Sequence, residues 1–197
     1  MNGWAQLGVI LLIGVVIYSV VKRIVQTRTE NQYMQWFGEG KFDRILASID
    51  SWKGKWLFPL YNRDHLKLQV AQMTNDKEQI DALLDKMLAM KTTPEQRKEI
   101  VMRAFEYFIY EQDRRKAKPL YQEIKQHFDK KTAHRARLMY EVYITHKGDL
   151  VDELLELAKT IPDSEKGTCY LLLAQSYKNK HDDEKQREYE QLAKQYL

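Results

Sequence analysis

Short polar turns recur along this 197-residue chain at a nearly constant interval. The turns are separated by 36, 37, 35 and 34 residues when one residue marks each: Gly40, Asp76, Asp113, Gly148 and Asp182. The stretches between them are rich in strong helix formers, and the chain has only 8 Gly and 4 Pro. An interval of this size is typical of arrays whose unit is a helical hairpin. The spacing therefore predicts an all-α protein with an αα-hairpin solenoid of about five hairpins.

Small and aromatic residues recur at fixed spacing within these helices. The clearest sets lie in the last hairpin and in the third: Tyr170, Leu173, Ala174 and Tyr177; Ala104, Tyr107, Ala117 and Tyr121. This pattern resembles the tetratricopeptide repeat (TPR) family, whose unit of about 34 residues carries an aromatic residue, a Leu-Gly pair and a Tyr. Ala174 stands where the family has Gly, and a related αα-solenoid fits the same pattern. The resemblance covers residues 26–197 and implies a surface that binds a protein or peptide partner.

The N-terminal region contains no charged residue from Trp4 to Val21, a run long enough to cross a membrane as a helix. The first cations follow directly: Lys22, Arg23 and Arg28. A secretory signal would need a basic region before the run, and a buried core helix would rarely be so uniformly apolar. Because cations flank membrane spans on the cytosolic side, we expect a single-pass protein of the cell membrane. Residues 1–25 would form the transmembrane anchor, and residues 26–197 a cytosolic TPR-like domain.

The residues that could carry chemistry form no recognisable catalytic or metal-binding pattern. The five His are scattered among different units and never fall at i, i+4 spacing, and Cys169 lies in an apolar stretch. The acidic run from His181 to Glu184 lies at an inter-helix turn, where Asp is expected to cap a helix. We therefore predict a protein that is not an enzyme, with no cofactor, no metal and no small-molecule substrate.

The densest charge lies between Asp113 and Arg137, where nine cations accompany three acidic residues. Six of these cations define the predicted basic patch: Arg114, Arg115, Lys118, Lys130, Lys131 and Arg135. Such a patch suits an acidic peptide or anionic lipid headgroups, and the alternative is a solvated face neutralised by acidic neighbours. No nucleic acid is expected, because Tyr121 and Phe128 fit core positions better than they fit base-stacking platforms.

A partner groove is predicted in the third hairpin, where residues 104–110 are apolar on nearly every side. Val101, Phe105 and Phe108 form one stripe of this helix. By the resemblance, that stripe would face the concave groove of the array; the alternative is a helix buried by its neighbours on all sides. The sequence thus predicts a membrane-tethered scaffold for protein–protein interaction in the cytosol. Two alternatives remain: a permanent structural subunit of a membrane complex, and an interaction module on the non-cytosolic side.

Overall fold

The computed structural model describes the backbone of residues 3–196 and the side chains of residues 9–196. Within this range the protein has eleven helices and no strand, which confirms the predicted all-α class. The helices are, in chain order, α1 (Gly3–Gly38), α2 (Phe42–Asp50), α3 (Trp52–Leu57), α4 (Leu60–Met73), α5 (Lys77–Leu88), α6 (Pro94–Tyr110), α7 (Arg114–His127), α8 (Lys130–Tyr143), α9 (Val151–Thr160), α10 (Asp163–Asn179) and α11 (Asp183–Lys194). They divide between two compact units, residues 1–91 with α1 to α5 and residues 92–197 with α6 to α11.

Four of the five predicted turns share one geometry. Each has a residue with positive φ just after the first helix: Gly40, Asn75, Gln112 and His181. The next N–H reaches back five residues to a carbonyl oxygen, as Asp113 does to Phe108 across 2.9 Å. This is the Schellman arrangement, which satisfies carbonyl groups left over at a helix C-terminus. In three of these turns the following Asp then caps the second helix through its side chain: Asp76, Asp113 and Asp182.

The fourth turn is longer than the others. α8 ends at Tyr143 and α9 begins at Val151, and the residue with positive φ is His146. The predicted marker Gly148 lies so close to the end of α10 that a Cβ there would come within 2.5 Å of the Lys180 Cγ atom. This turn therefore packs against the next hairpin, whereas the other four close on their own helix ends.

The first unit is organised around α1, which runs without a break through the predicted boundary between residues 25 and 26. Its C-terminal half joins a core with residues of α2, α3, the α3–α4 connection and α4: Tyr33, Ile45, Ile49, Leu57, Phe58 and Val70. The sequence predicts only a break from Trp52 to Pro59, but this stretch contains the six-residue helix α3. The Ser51 hydroxyl caps α3 by accepting from the Gly54 N–H across 3.0 Å.

In the second unit the two helices of α6–α7 and of α10–α11 pack together, and α6, α8 and α10 contact one another in sequence order. Alanines are buried in every helix of this unit: Ala104, Ala117, Ala136, Ala158, Ala174 and Ala193. Small side chains let neighbouring helices approach closely, while larger residues fill the space between the hairpins. Three of these alanines belong to the small-and-aromatic pattern of the sequence: Ala104, Ala117 and Ala174.

Candidate membrane and partner surfaces

Among the described residues, one helix is long and apolar enough to cross a membrane. This stretch, Val9–Gly38 of α1, reaches a mean hydropathy of 2.0, and none of its most apolar window is buried. Exposed apolar side chains follow one another along its first half: Val9, Ile10, Leu11, Leu12, Ile13, Val15, Val16, Ile17, Val20, Val21 and Ile24. Moving each such side chain from water into an apolar environment is favourable by about 1.5–3 kcal/mol. The stretch therefore has the length and the composition of a membrane span, and its apolar first half is not buried in the core of this fold.

The stripe predicted to face a groove lies in the core of the second unit. Val101 and Phe105 are 0% exposed and Phe108 is 2% exposed. α7 covers the stripe: the Tyr121 ring stacks on Phe105 with centroids 6.4 Å apart, and the Lys116 Nζ atom lies 4.7 Å from the Phe108 ring centroid. The prediction that this stripe faces an open groove is therefore wrong. The alternative holds, because the helix is buried by its neighbours along this stripe. The resemblance misassigned these residues because their exposure depends on how closely the second helix packs.

The six cations of the predicted basic patch are all exposed, but two of them are neutralised by acidic residues from other helices. The Lys131 Nζ atom lies 2.7 Å from a Glu165 carboxylate oxygen, and Arg135 pairs with Glu106 across 3.1 Å. The other four make no ion pair with any described residue: Arg114, Arg115, Lys118 and Lys130. The patch is therefore divided into a paired half and an unpaired half.

Three of the four unpaired cations of the patch lie on one side of α7. We define the α7 cationic face as Arg114, Arg115, Lys118 and Lys125. Arg114, Lys118 and Lys125 follow i, i+4, i+11 spacing, which places them along one stripe of a helix. Lys125 is exposed and unpaired among the described residues, and the sequence interpretation left it out of the patch although this spacing would have identified it.

The one acidic residue in α7, Glu123, does not neutralise this face. It lies on another side of the helix and binds Arg97 of α6 through two parallel hydrogen bonds, each 2.7 Å long. Hydrogen bonding to Glu123 raises the pKa of the Arg97 guanidinium. This bidentate pair holds α6 and α7 together and leaves the α7 cationic face with a net positive charge.

A cavity of about 250 Å³ lies between α8, α9 and α10. Its apolar lining consists of Leu138, Leu157, Ile161 and Leu172. Its charged and polar lining consists of Lys131, His134, Arg135 and Glu165. Cys169 also lines it, and its thiol donates a hydrogen bond to the Leu154 carbonyl oxygen across 3.4 Å. Burial raises the pKa of this thiol to about 11, so the thiol is a packing group with almost no thiolate at neutral pH.

The described part of the chain brings no three His, Cys, Asp or Glu side chains together in a way that could hold a metal ion. The acidic run at the last turn acts as a cap, because the Asp182 carboxylate accepts from the Lys185 N–H across 3.0 Å. His181, beside it, has positive φ and forms the turn itself. Asp182 therefore has the capping role that the sequence predicted for Asp at this turn.

Searches for similarity to this chain among protein-family models, curated proteins and solved structures returned no match. The resemblance to the tetratricopeptide repeat family therefore stays a prediction based on residue pattern.

Proposed function

We propose that this chain is a single-pass membrane protein whose helical-hairpin domain lies in the cytosol and holds a protein partner beside the membrane. The observation that carries the proposal is the exposed apolar half of α1, which is continuous with a helix that joins a folded core. In this reading the membrane covers the apolar half, and the core holds the rest of the first unit close to it. The cations at the end of the run favour the cytosolic side for the domain: Lys22, Arg23 and Arg28.

The α7 cationic face supports a protein partner of acidic character. Its side chains are exposed and lack internal acidic partners, so an acidic segment could bind them without breaking existing ion pairs. Arrays of helical hairpins commonly present such extended surfaces to peptides and proteins. The proposal includes no catalysis, cofactor, nucleic acid or small-molecule substrate.

Orientation is tested by thiol labelling of the full-length chain in intact cells. A Cys169→Ala background removes the native thiol, and Gln195→Cys then introduces one at an exposed position near the end of the domain. A membrane-impermeant maleimide should label this variant only after the cells are lysed. Asn2→Cys in the same background is the control and should react in intact cells. Labelling of Gln195→Cys before lysis would place the domain outside the cytosol.

Partner binding is tested by charge reversal followed by crosslinking in cells and mass spectrometry. The test variant carries Arg114→Glu, Arg115→Glu and Lys118→Glu. The matched control changes the same charge at exposed sites on α10 and α11: Lys178→Glu, Arg187→Glu and Lys194→Glu. The principal crosslinked protein should be depleted at least about ten-fold in the test variant, because like-charge contacts in an interface cost several kcal/mol. Equal recovery from both variants would contradict binding at the α7 cationic face.

A further inference from the structure

The short helix α3 is strongly two-sided. Trp52 and Trp56 lie four residues apart on one face and are 80% and 36% exposed. Gly54 and Leu57 lie on the other face and are buried. Two exposed indoles on one turn of helix are unusual, because Trp side chains are on average among the more buried.

The exposed face of α3 is held in place from behind. A Cβ on Gly54 would lie 2.5 Å from the Ile49 carbonyl oxygen, so the backbone of α3 lies directly against the end of α2. Leu57 and Phe58 join the same core as Tyr33 of α1, and the Phe58 and Tyr33 rings lie 5.8 Å apart. The outward direction of the indoles therefore follows from the packing of the whole first unit.

α3 lies beside the end of the apolar run of α1. The Trp56 indole N–H donates to the Tyr18 hydroxyl oxygen across 2.8 Å, and the two rings meet edge to face with centroids 6.0 Å apart. The Lys22 Nζ atom lies 5.8 Å from the Trp56 ring centroid. Tyr18 and Lys22 span the point where uncharged sequence gives way to charged sequence. In a membrane-spanning α1, this point lies at the lipid–water interface.

The charges around the exposed indoles are positive. Lys53 and Lys55 are exposed on either side of the Trp face, and neither makes an ion pair with a described residue. The nearest acidic residue along the chain, Asp50, is already paired with Lys67 across 2.6 Å. Leu60, at the start of α4, is also 47% exposed. The combination of indoles and flanking lysines is the composition of an interfacial membrane element.

We propose that α3 is a second membrane contact, with Trp52 and Trp56 at the headgroup boundary of the bilayer that α1 crosses. Lys53 and Lys55 extend to anionic headgroups on the same side. The inference rests on the proposed membrane insertion of α1, but neither the orientation of the domain nor the protein partner enters it. Two contacts, one spanning and one lying on the surface, would set the rotation and tilt of α1 and orient the first unit against the membrane.

The test uses full-length chain reconstituted in liposomes of phosphatidylcholine and phosphatidylglycerol. One variant keeps Trp52 as its single tryptophan, through Trp4→Phe, Trp36→Phe and Trp56→Phe. The matched control keeps Trp36, which is partly buried against the core of the first unit. Brominated lipids that quench near the headgroups should quench Trp52 more strongly than lipids brominated near the acyl ends, and acrylamide in the buffer should quench it weakly. Trp36 should respond to neither lipid.

A second set of variants keeps the test independent of the triple substitutions. In the otherwise unchanged chain, Trp52→Phe should remove much of the quenching by headgroup-brominated lipid, while Trp36→Phe should leave it intact. Lys53→Glu with Lys55→Glu should reduce the quenching of Trp52 in anionic liposomes, where each lysine contributes about five-fold to surface attraction. Lys91→Glu with Lys98→Glu, at exposed sites outside α3, is the charge-matched control.

Three outcomes would overturn the inference. Liposome flotation shows whether the chain is anchored in the membrane at all. A chain that does not float with the liposomes disproves both the membrane insertion of α1 and the membrane contact of α3. A chain that floats, with Trp52 open to acrylamide and insensitive to brominated lipid, disproves the interfacial role of α3 alone. A chain that floats, with Trp52 shielded from both quenchers, shows that another protein chain covers this face and equally disproves the lipid contact.

Discussion

The side-chain amide of Asn179, at the end of α10, donates a hydrogen bond to the main-chain carbonyl oxygen of Val142 in α8 across 2.8 Å. The same amide nitrogen lies 3.3 Å from the Lys147 carbonyl oxygen in the long fourth turn. Gln175 donates to the Asn179 side-chain oxygen across 2.9 Å and so orients the amide. The fourth turn departs from the geometry of the other four, and one side chain from the next hairpin satisfies the carbonyl groups that it leaves open.

Replacement of Asn179 by Ala should therefore lower the free energy of unfolding by about 1–3 kcal/mol, since two carbonyl oxygens lose their donor. The measurement is urea unfolding of the full chain in detergent, followed by far-ultraviolet circular dichroism. Gln122→Ala, at an exposed site on α7, is the control and should change stability by less than about 0.5 kcal/mol. Equal losses in the two variants would show that the Asn179 amide does not stabilise the turn.

The shared turn geometry predicts opposite effects of two substitutions at Gln112. Its φ of 55° lies in the left-handed region, which costs a residue with a side chain about 1–2 kcal/mol and costs Gly almost nothing. Gln112→Gly should raise the melting temperature, and Gln112→Val should lower it. Glu111→Gly is the control: with φ of −76° that position offers Gly no steric advantage, so the change should be destabilising. A lower melting temperature for Gln112→Gly would contradict the turn assignment.

The sequence predicted where the turns lie, but it did not predict the burial of the groove stripe, the helix α3 or the ion pairs of the basic patch. In three of the turns a residue with positive φ is followed by an Asp that caps the next helix, and both are local requirements that local sequence can express. The fourth turn is an exception, because its positive φ lies at His146 and not at Gly148, and α9 has no side-chain cap. α3 was missed because six residues are too few to show helical periodicity, and its position depends on the fit of Gly54 against α2. The sequence did not predict that Lys131 pairs with Glu165 or that Arg135 pairs with Glu106. In both pairs the acidic partner lies on another helix, far away along the chain.

The burial of Phe108 predicts a large loss of stability when its ring is removed. Phe108→Ala should lower the free energy of unfolding by about 3–5 kcal/mol, because the ring is enclosed and leaves a cavity. Tyr110→Ala, on the same helix with a half-exposed ring, is the matched control and should cost less. Both are measured by urea unfolding. A small loss for Phe108→Ala would restore the possibility of an open groove at this stripe.

The Cys169 thiol should be nearly inert in the folded protein. Burial raises its pKa from 9.0 to about 11, so the thiolate fraction at pH 8 is about 100-fold lower than for an ordinary thiol. Because the folded pKa is the higher one, the unfolded state loses this proton first, and the contribution to stability declines as pH rises from about 9 to about 11. Reaction with a chromogenic disulfide at pH 8 should be slow in buffer and fast in urea. Rapid reaction of the folded protein would contradict the buried position.

The close contact at Gly54 provides the most direct test of the first unit. A Cβ at this position would lie 2.5 Å from the Ile49 carbonyl oxygen, and a main-chain atom cannot move aside as a flexible side chain can. Gly54→Ala should therefore shift α3 away from α2 and destabilise the first unit by about 1–3 kcal/mol. Because Leu57 and Phe58 follow directly, the shift should also weaken the contact between Trp56 and Tyr18.

Gly38 is the matched control for Gly54, since a Cβ there would meet no atom within 4 Å. Gly38 is the last residue of α1, so Gly38→Ala should leave stability unchanged or raise it by about 0.4–1 kcal/mol through reduced freedom of the unfolded chain. Urea unfolding compares the two variants, and tryptophan emission in a background with Trp4→Phe, Trp36→Phe and Trp52→Phe reports on the surroundings of Trp56. Gly54→Ala should lower stability and alter the emission, whereas Gly38→Ala should do neither. Equal stability of the two variants would mean that α3 does not lie against α2, and the outward position of its indoles would then lose its structural basis.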